Sequence, residues 1–207
     1  MLDMEISKIK EKFGDFYIAD ENTFKMGIDK RIASIISERF INRIVLETCT
    51  GAGFTTLSLA NYSEHVYTIE IEKTHQEQAI QNITNAKLSE KVTFILGDIL
   101  NENLLNNLPK INSAFLDPDW ADMNINHTYC FKNSNTKPPA DILLKTISKI
   151  TQNIALILPP FIERSEFSDL PPHELQRIYL DREHVLYCLY FGELTKYVGE
   201  TELRINA

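Results

Sequence analysis

Glu47, Glu70 and Asp117 each close a short apolar run, and the residues after each differ in kind. The run Ile44-Val45-Leu46 ends on Glu47, and Thr48-Cys49-Thr50 leads from it into Gly51-Ala52-Gly53. Val66-Tyr67-Thr68-Ile69 ends on Glu70. Ser113-Ala114-Phe115-Leu116 ends on Asp117 and continues Pro118-Asp119-Trp120. A carboxylate at a strand end can accept hydrogen bonds from hydroxyls or amines. Two glycines in a turn let the backbone approach a ligand with no Cβ in the way. A tryptophan offers a flat face for stacking, worth roughly 1–3 kcal/mol per base.

Taken singly these features are ordinary. Gly-x-Gly is a common strand-to-helix turn, Asp-Pro often starts a loop, and an acid after a strand suits the N-terminus of the next helix. Their order along the chain says more, because ligands of open α/β sheets bind at the C-terminal ends of strands. S-adenosylmethionine carries a sulfonium, an amino acid end, a ribose diol and an adenine, but no phosphate. Glu47, Thr48, Gly51 and Gly53 suit its methionyl end, with Glu47 placing negative charge near the cation. A carboxylate at Glu70 can accept both ribose hydroxyls, with Glu72 as the fallback if the register differs by two. Ile71 can pack on the adenine face, and Asp98, after the third apolar run, can accept from the adenine amine. Asp117 and the Pro118 carbonyl can accept the two hydrogens of an exocyclic amine. That arrangement holds the lone pair in line for transfer and stabilises charge growing on nitrogen. Asp119 is placed to read a base edge beside Trp120. No Cys or His spacing suits a metal.

Alternating elements must position these residues. Strands are expected at Ile44–Thr48, Val66–Ile71, Val92–Leu96, Ser113–Asp117 and Ile154–Leu158, with helices near Phe54–Asn61, Thr74–Ala86, Asn101–Asn107 and Ala140–Ile150. Strands joined by crossover helices imply a parallel sheet with helices on both faces. Leu175–Leu180 and Val185–Phe191 follow too closely for a crossover, so an antiparallel hairpin is expected. The fold class is α/β and Rossmann-like, a mostly parallel seven-stranded sheet ending in that hairpin. The helical spacing Ile32, Ile35, Ile36, Phe40 precedes the first strand. The expected organisation is one domain over 1–207: a helical segment 1–43, a core 44–194 and a tail 195–207.

Composition excludes several classes. The net charge is −8 and no basic run exists, so a long nucleic acid is not gripped by a basic face. Three distant cysteines and the lack of a leader-like apolar N-terminus point to a reducing, cytoplasmic setting. The longest clean apolar stretch, Ile154 to Ile162, is too short to cross a bilayer. The segment Asn124 to Asn133 is long for a loop and could lie over an acceptor. Tyr129 and Phe131 would then add stacking surface, and His127 or Lys132 a polar or phosphate contact.

With these residues in view, the chain resembles the trimethylguanosine synthase family, the RNA cap guanine-N2 methyltransferases, over roughly Phe24 to Leu194. The resemblance rests on the acid before Gly51-x-Gly53, on Glu70, on Pro118-x-Trp120, on Met26-Gly27-Ile28-Asp29-Lys30-Arg31-Ile32-Ala33 and on the ending Tyr190-Phe191-Gly192-Glu193-Leu194. It implies a class I methyltransferase fold, S-adenosylmethionine as cofactor, Trp120 stacked on an acceptor guanine, and an RNA or nucleotide acceptor. Two positions depart from the family pattern: Asp119 replaces a second proline, and Asp117 stands where serine is frequent. The basic extension that grips cap phosphates has no counterpart. The readings left open are transfer to guanine N2, transfer to adenine N6 or a protein amide, and a non-catalytic binding module. A nicotinamide-dependent oxidoreductase fits poorly, because a third glycine is missing.

Overall fold

The computed structural model describes residues 2–15, 17–120 and 129–206, with side chains from residue 7 onward. The chain forms two compact units, Met1–Asn106 and Asn107–Ala207.

The first unit begins with helices α1 (Leu2–Phe13), α2 (Glu21–Met26) and α3 (Lys30–Ser37). Each short helix carries its own start signal. Asp20 accepts from the backbone N–H groups of Asn22 and Thr23 while the Thr23 hydroxyl accepts from Asp20 N–H, a capping box. Asp29 caps α3 and pairs with both Nε and Nη2 of Arg31. Of the helical stripe read from the sequence, Ile32, Ile36 and Phe40 are buried and Ile35 is half-buried; Ala33 is buried as well. Then come β1 (Ile44–Thr48), α4 (Phe54–Tyr62), β2 (His65–Glu70), α5 (Lys73–Asn85), β3 (Val92–Leu96) and α6 (Glu102–Asn106). The strands are parallel in the order β3-β2-β1, with Glu47 opposite Thr68 and Glu70 opposite Leu96. Val45, Leu46, Val66 and Ile69 are buried, the continuous apolar pattern of a parallel sheet.

The second unit holds β4 (Ser113–Leu116), α7 (Ala140–Ile147), β5 (Ile154–Leu158), β6 (His173–Leu180), β7 (Glu183–Phe191) and β8 (Gly199–Ile205). β4 and β5 are parallel, β7 runs antiparallel to both β5 and β6, and β8 is parallel to β6. The expected hairpin is present, and its connection is tighter than the sequence runs suggested. Asp181 and Arg182 form a two-residue loop with φ of 50° and 74°, the backbone that suits the twist of a hairpin.

The described residues contain eight strands, not the seven expected. The segment 195–207, expected as a tail, contributes β8. Two buried or paired glutamates and an alternating burial pattern explain it. The fully buried Glu174 accepts from Lys196 N–H, Tyr197 N–H and the Thr201 hydroxyl, which fixes the return of the chain. Glu200 pairs with both Arg164 and Arg177. Thr201, Leu203 and Ile205 alternate as the half-buried positions, while Glu200, Glu202 and Arg204 face outward. The architecture is α/β, mostly parallel, with an antiparallel hairpin near the C-terminus.

Candidate functional site

In the first unit the turn after β1 is built around Glu70. Its carboxylate is 6% exposed and accepts three backbone N–H groups: Gly51 at 2.7 Å on Oε2, and Ile71 and Glu72 at 2.9 Å each on Oε1. A carboxylate offers roughly four lone-pair sites, so Oε2 keeps capacity for one more donor. The backbone reaches this geometry through left-handed residues. Cys49 has φ 62° and donates its N–H to Ile69 O at 2.9 Å. Gly51 (φ 55°) and Gly53 (φ 81°) follow. Gly53 is doubly constrained, since a Cβ there would stand 3.0 Å from Ala79 Cβ. Gly51 needs only the backbone freedom, because nothing lies within 4 Å of its would-be Cβ.

Glu47 is also buried, at 2% exposure, and its carboxylate is engaged by hydroxyls. Thr56 donates to Oε2 at 2.6 Å, and Thr68, opposite it on β2, is a second partner. Burial pushes this carboxyl up to about 7, and the nearby charge of Glu70 adds to the rise. The threonines thus satisfy Glu47 within the protein. Thr56 and Thr68 were not foreseen as site residues, nor was Asn82. The buried Asn82 donates to Ala52 O at 2.9 Å and Ile18 O at 2.8 Å, and accepts from Ile18 N–H at 2.7 Å. It ties the glycine turn to the segment before α2. Its signal was a polar residue on the buried stripe Ala79, Asn82, Ile83 of α5.

Other expected cofactor residues take ordinary but compatible places. Thr48 is fully buried and, among the described residues, its Oγ1 has no hydrogen-bond partner. Ile71 stands 63% exposed just after β2, and Leu96 is exposed at the end of β3. Asp98 is exposed, with one oxygen taken by Leu100 N–H at 2.8 Å. Glu72 is exposed at the start of α5 and its side chain makes no capping bond. The set fits a diol-bearing nucleoside. There is spare acceptor capacity on Glu70, space above Gly51, an orphaned hydroxyl at Thr48, and exposed aliphatic side chains at two strand ends.

In the second unit Asp117, Pro118, Asp119 and Trp120 follow β4 directly. Pro118 is buried; the other three are half-buried. Asp119 and Lys137 exchange main-chain hydrogen bonds at 2.8 and 2.9 Å. Tyr129 and Phe131, expected to offer stacking surface, are both buried. Tyr129 donates its hydroxyl to Trp120 O at 2.6 Å, and the Phe131 ring packs edge-on against Phe167. Both rings face the interior, because the segment from Tyr129 onward is tied down at several points. Lys132, expected as a phosphate contact, is exposed and paired with Asp169. His127 and residues 124–128 of the expected acceptor cover lie outside the described residues. Among the described residues no group of three metal-ligating side chains exists, and no helix is long and apolar enough to cross a membrane.

A family model described as RNA cap guanine-N2 methyltransferase matches residues 42–190. Among functionally curated proteins, none matches the chain in sequence. Solved structures share the fold. A Porphyromonas gingivalis W83 protein described as a methyltransferase superposes with a TM-score of 0.74 at 18% identity, over 95% of this chain and 50% of its own. The chain thus spans about half the length of that protein. A Streptococcus mutans protein in complex with S-adenosylhomocysteine gives 0.56 at 10% identity, over 78% of this chain and 97% of its own. An rRNA methylase from Streptococcus thermophilus gives 0.52 at 15% identity, over 78% and 94%. The shared fold is that of Rossmann-like class I methyltransferases.

Proposed function

Because this chain belongs to the RNA cap guanine-N2 methyltransferase family, we propose that it transfers a methyl group from S-adenosylmethionine to an exocyclic amine, the N2 amine of a guanine in RNA or in a nucleotide. The bound cofactor supplies an electrophilic methyl on a sulfonium. Glu70 would take a ribose hydroxyl, while its bond from Gly51 N–H holds the glycine turn in shape. Thr48, Gly51 and Gly53 would hold the methionyl end, Ile71 would pack on the adenine, and Asp98 would accept from its amine. Glu47 braces the turn through Thr56 and Thr68.

The acceptor belongs to the second group. An exocyclic amine is a weak nucleophile, since its lone pair is delocalised into the ring. Asp117 and the Pro118 carbonyl accept its two hydrogens, which turns the lone pair toward the methyl and stabilises the charge that develops on nitrogen. As the N–CH₃ bond forms, the S–CH₃ bond would break to leave S-adenosylhomocysteine, and Asp117 would receive the proton that nitrogen releases. Trp120 stacks on the base, and Asp119 accepts from a donor-rich edge such as guanine N1–H and N2–H₂. The observation that carries this reading is the half-buried Trp120 fixed by its main chain beside Asp117 and Pro118. The net charge of −8 means that the acceptor is held by local contacts rather than by a basic face.

Radiolabelled methyl transfer to total RNA, DNA and protein fractions tests the proposal. Label in RNA that digests to N2-methylguanosine supports it. Label in adenine or in protein amide moves the assignment to those acceptors. No label in any fraction, with S-adenosylhomocysteine still raising the melting temperature, favours a non-catalytic binding module. Asp119 in place of the family's second proline is the feature that would explain that outcome.

A further inference from the structure

Tyr129 carries an inference beyond the cofactor and acceptor contacts. Its side chain is 2% exposed, and its hydroxyl donates to the carbonyl of Trp120 at 2.6 Å. Tyr129 is itself anchored. Its carbonyl accepts from Glu163 N–H at 2.9 Å, in a bridge with Ile162 just beyond β5. Two residues on, the N–H groups of Phe131 and Lys132 both donate to Glu166 Oε2. Asn133 N–H donates to Asp141 Oδ2 of α7 at 2.9 Å. The Phe131 ring packs edge-on against Phe167, and Phe167 against Tyr187 of β7. From the other side, the paired bonds between Asp119 and Lys137 hold the residue before Trp120. The tryptophan backbone is therefore held from both sides by a brace rooted in β5, β7 and α7.

We propose that Tyr129 is a positioning residue that presets the Trp120 indole for a stacked base. The proposal rests on the reading of Trp120 as the acceptor platform. A half-buried indole that must first be ordered forfeits part of its stacking free energy to lost rotamer freedom. A backbone fixed beforehand narrows the directions the indole can take and lowers that cost. The alternative is that the Trp120 carbonyl merely satisfies a buried phenol, which a tyrosine in the interior requires in any case.

Trp120 is the chain's one tryptophan, so intrinsic fluorescence reports on it alone. Tyr129→Phe keeps the ring and removes the hydrogen bond. The expected result is a faster acrylamide quenching of Trp120 and a guanosine monophosphate affinity weakened by about two- to tenfold, the size of one lost hydrogen bond. S-adenosylhomocysteine affinity should be unchanged. A purely structural tyrosine would lower the melting temperature and leave Trp120 quenching as it was; that pattern overturns the proposal. If Tyr129→Phe does not fold, time-resolved anisotropy of the wild type decides. Absence of fast indole wobble supports the brace, and wobble like that of a free surface side chain overturns it. Guanosine monophosphate that fails to alter wild-type emission counts against the platform reading, while the acrylamide comparison still judges the brace.

Discussion

Glu70→Gln is the sharpest perturbation of the proposed cofactor site, because the substitution changes charge without changing shape. The wild-type carboxylate accepts from Gly51 N–H at 2.7 Å and from Ile71 and Glu72 N–H at 2.9 Å each. Glutamine keeps one oxygen and turns an NH₂ toward the remaining donors. The cheaper orientation keeps the oxygen at Oε1, retains Ile71 and Glu72, and sacrifices Gly51. A hydrogen bond to a charged group contributes about 1.5–3 kcal/mol. For a chain of this length each kcal/mol moves the melting temperature by roughly 2–4 °C, so a drop of roughly 3–12 °C is expected. Calorimetric affinity for S-adenosylhomocysteine should fall by more than about tenfold, since both the ribose acceptor and the shape of the turn are affected. Glu72→Ala is the control. Glu72 is exposed and makes no capping bond with its side chain, so both readings should stay near wild type. Affinity retained in Glu70→Gln, or a larger loss in Glu72→Ala, would refute the assignment of Glu70.

Trp120→Ala should abolish methyl transfer while leaving S-adenosylhomocysteine affinity intact, and should lower stability by less than the roughly 3–5 kcal/mol of a buried tryptophan; a collapse in melting temperature would make Trp120 a core residue. Asp119→Asn keeps the N–H that donates to Lys137 O at 2.8 Å and should alter acceptor discrimination without touching cofactor affinity. Asp119→Pro removes that N–H and should lower transfer to RNA; increased transfer would instead identify Asp119 as a lesion in the site. Burial holds Glu47 near 7 against an ordinary 4.5. In that window the folded chain keeps a proton that the unfolded chain has released, so this group's contribution favours folding at low pH and is lost as pH rises through about 7. Glu47→Gln should flatten that decline: melting curves of the two proteins should converge near about pH 4 and diverge in the variant's favour near about pH 8. Parallel curves across the range would contradict the assignment.

The parallel strands were legible because their signal is local. A strand buried on both faces reads as a continuous apolar run, and β1, β4 and β5 are such runs. β2 was drawn one residue late at both ends, beginning at His65 and ending at Glu70, because Ile71 continues the apolar pattern although it is exposed. β8 was missed for the opposite reason. Its alternation of Thr201, Leu203 and Ile205 with charged residues is visible, but what makes it a strand is distant. Glu174 and Arg177 on β6, together with Arg164, supply its anchors. Sequence spacing cannot announce an ion pair between segments more than twenty residues apart.

The same distinction governs the site. Glu70 could be found because an acid at a strand end is a positional signal. Its distant donor, the Gly51 N–H, could not, because it depends on Cys49 and Gly51 adopting positive φ. For Glu47 the sequence offered the residue but not its partners Thr56 and Thr68, which lie nine and twenty-one residues further along the chain. Tyr129 shows the limit most clearly. As a loop aromatic it suggested a stacking surface. In the fold its ring is buried and its hydroxyl donates to the backbone of the residue it was expected to resemble in function. Asp119 completes the argument. Where the family pattern has a second proline, this chain uses the aspartate's own N–H to bind Lys137 O. Proline stiffens a loop by restricting φ; the main-chain bridge at Asp119 restrains the same loop from outside it. The substitution therefore exchanges one source of rigidity for another and adds a carboxylate beside the platform, and that is why Asp119→Asn and Asp119→Pro, which separate charge from bridge, test different halves of its role.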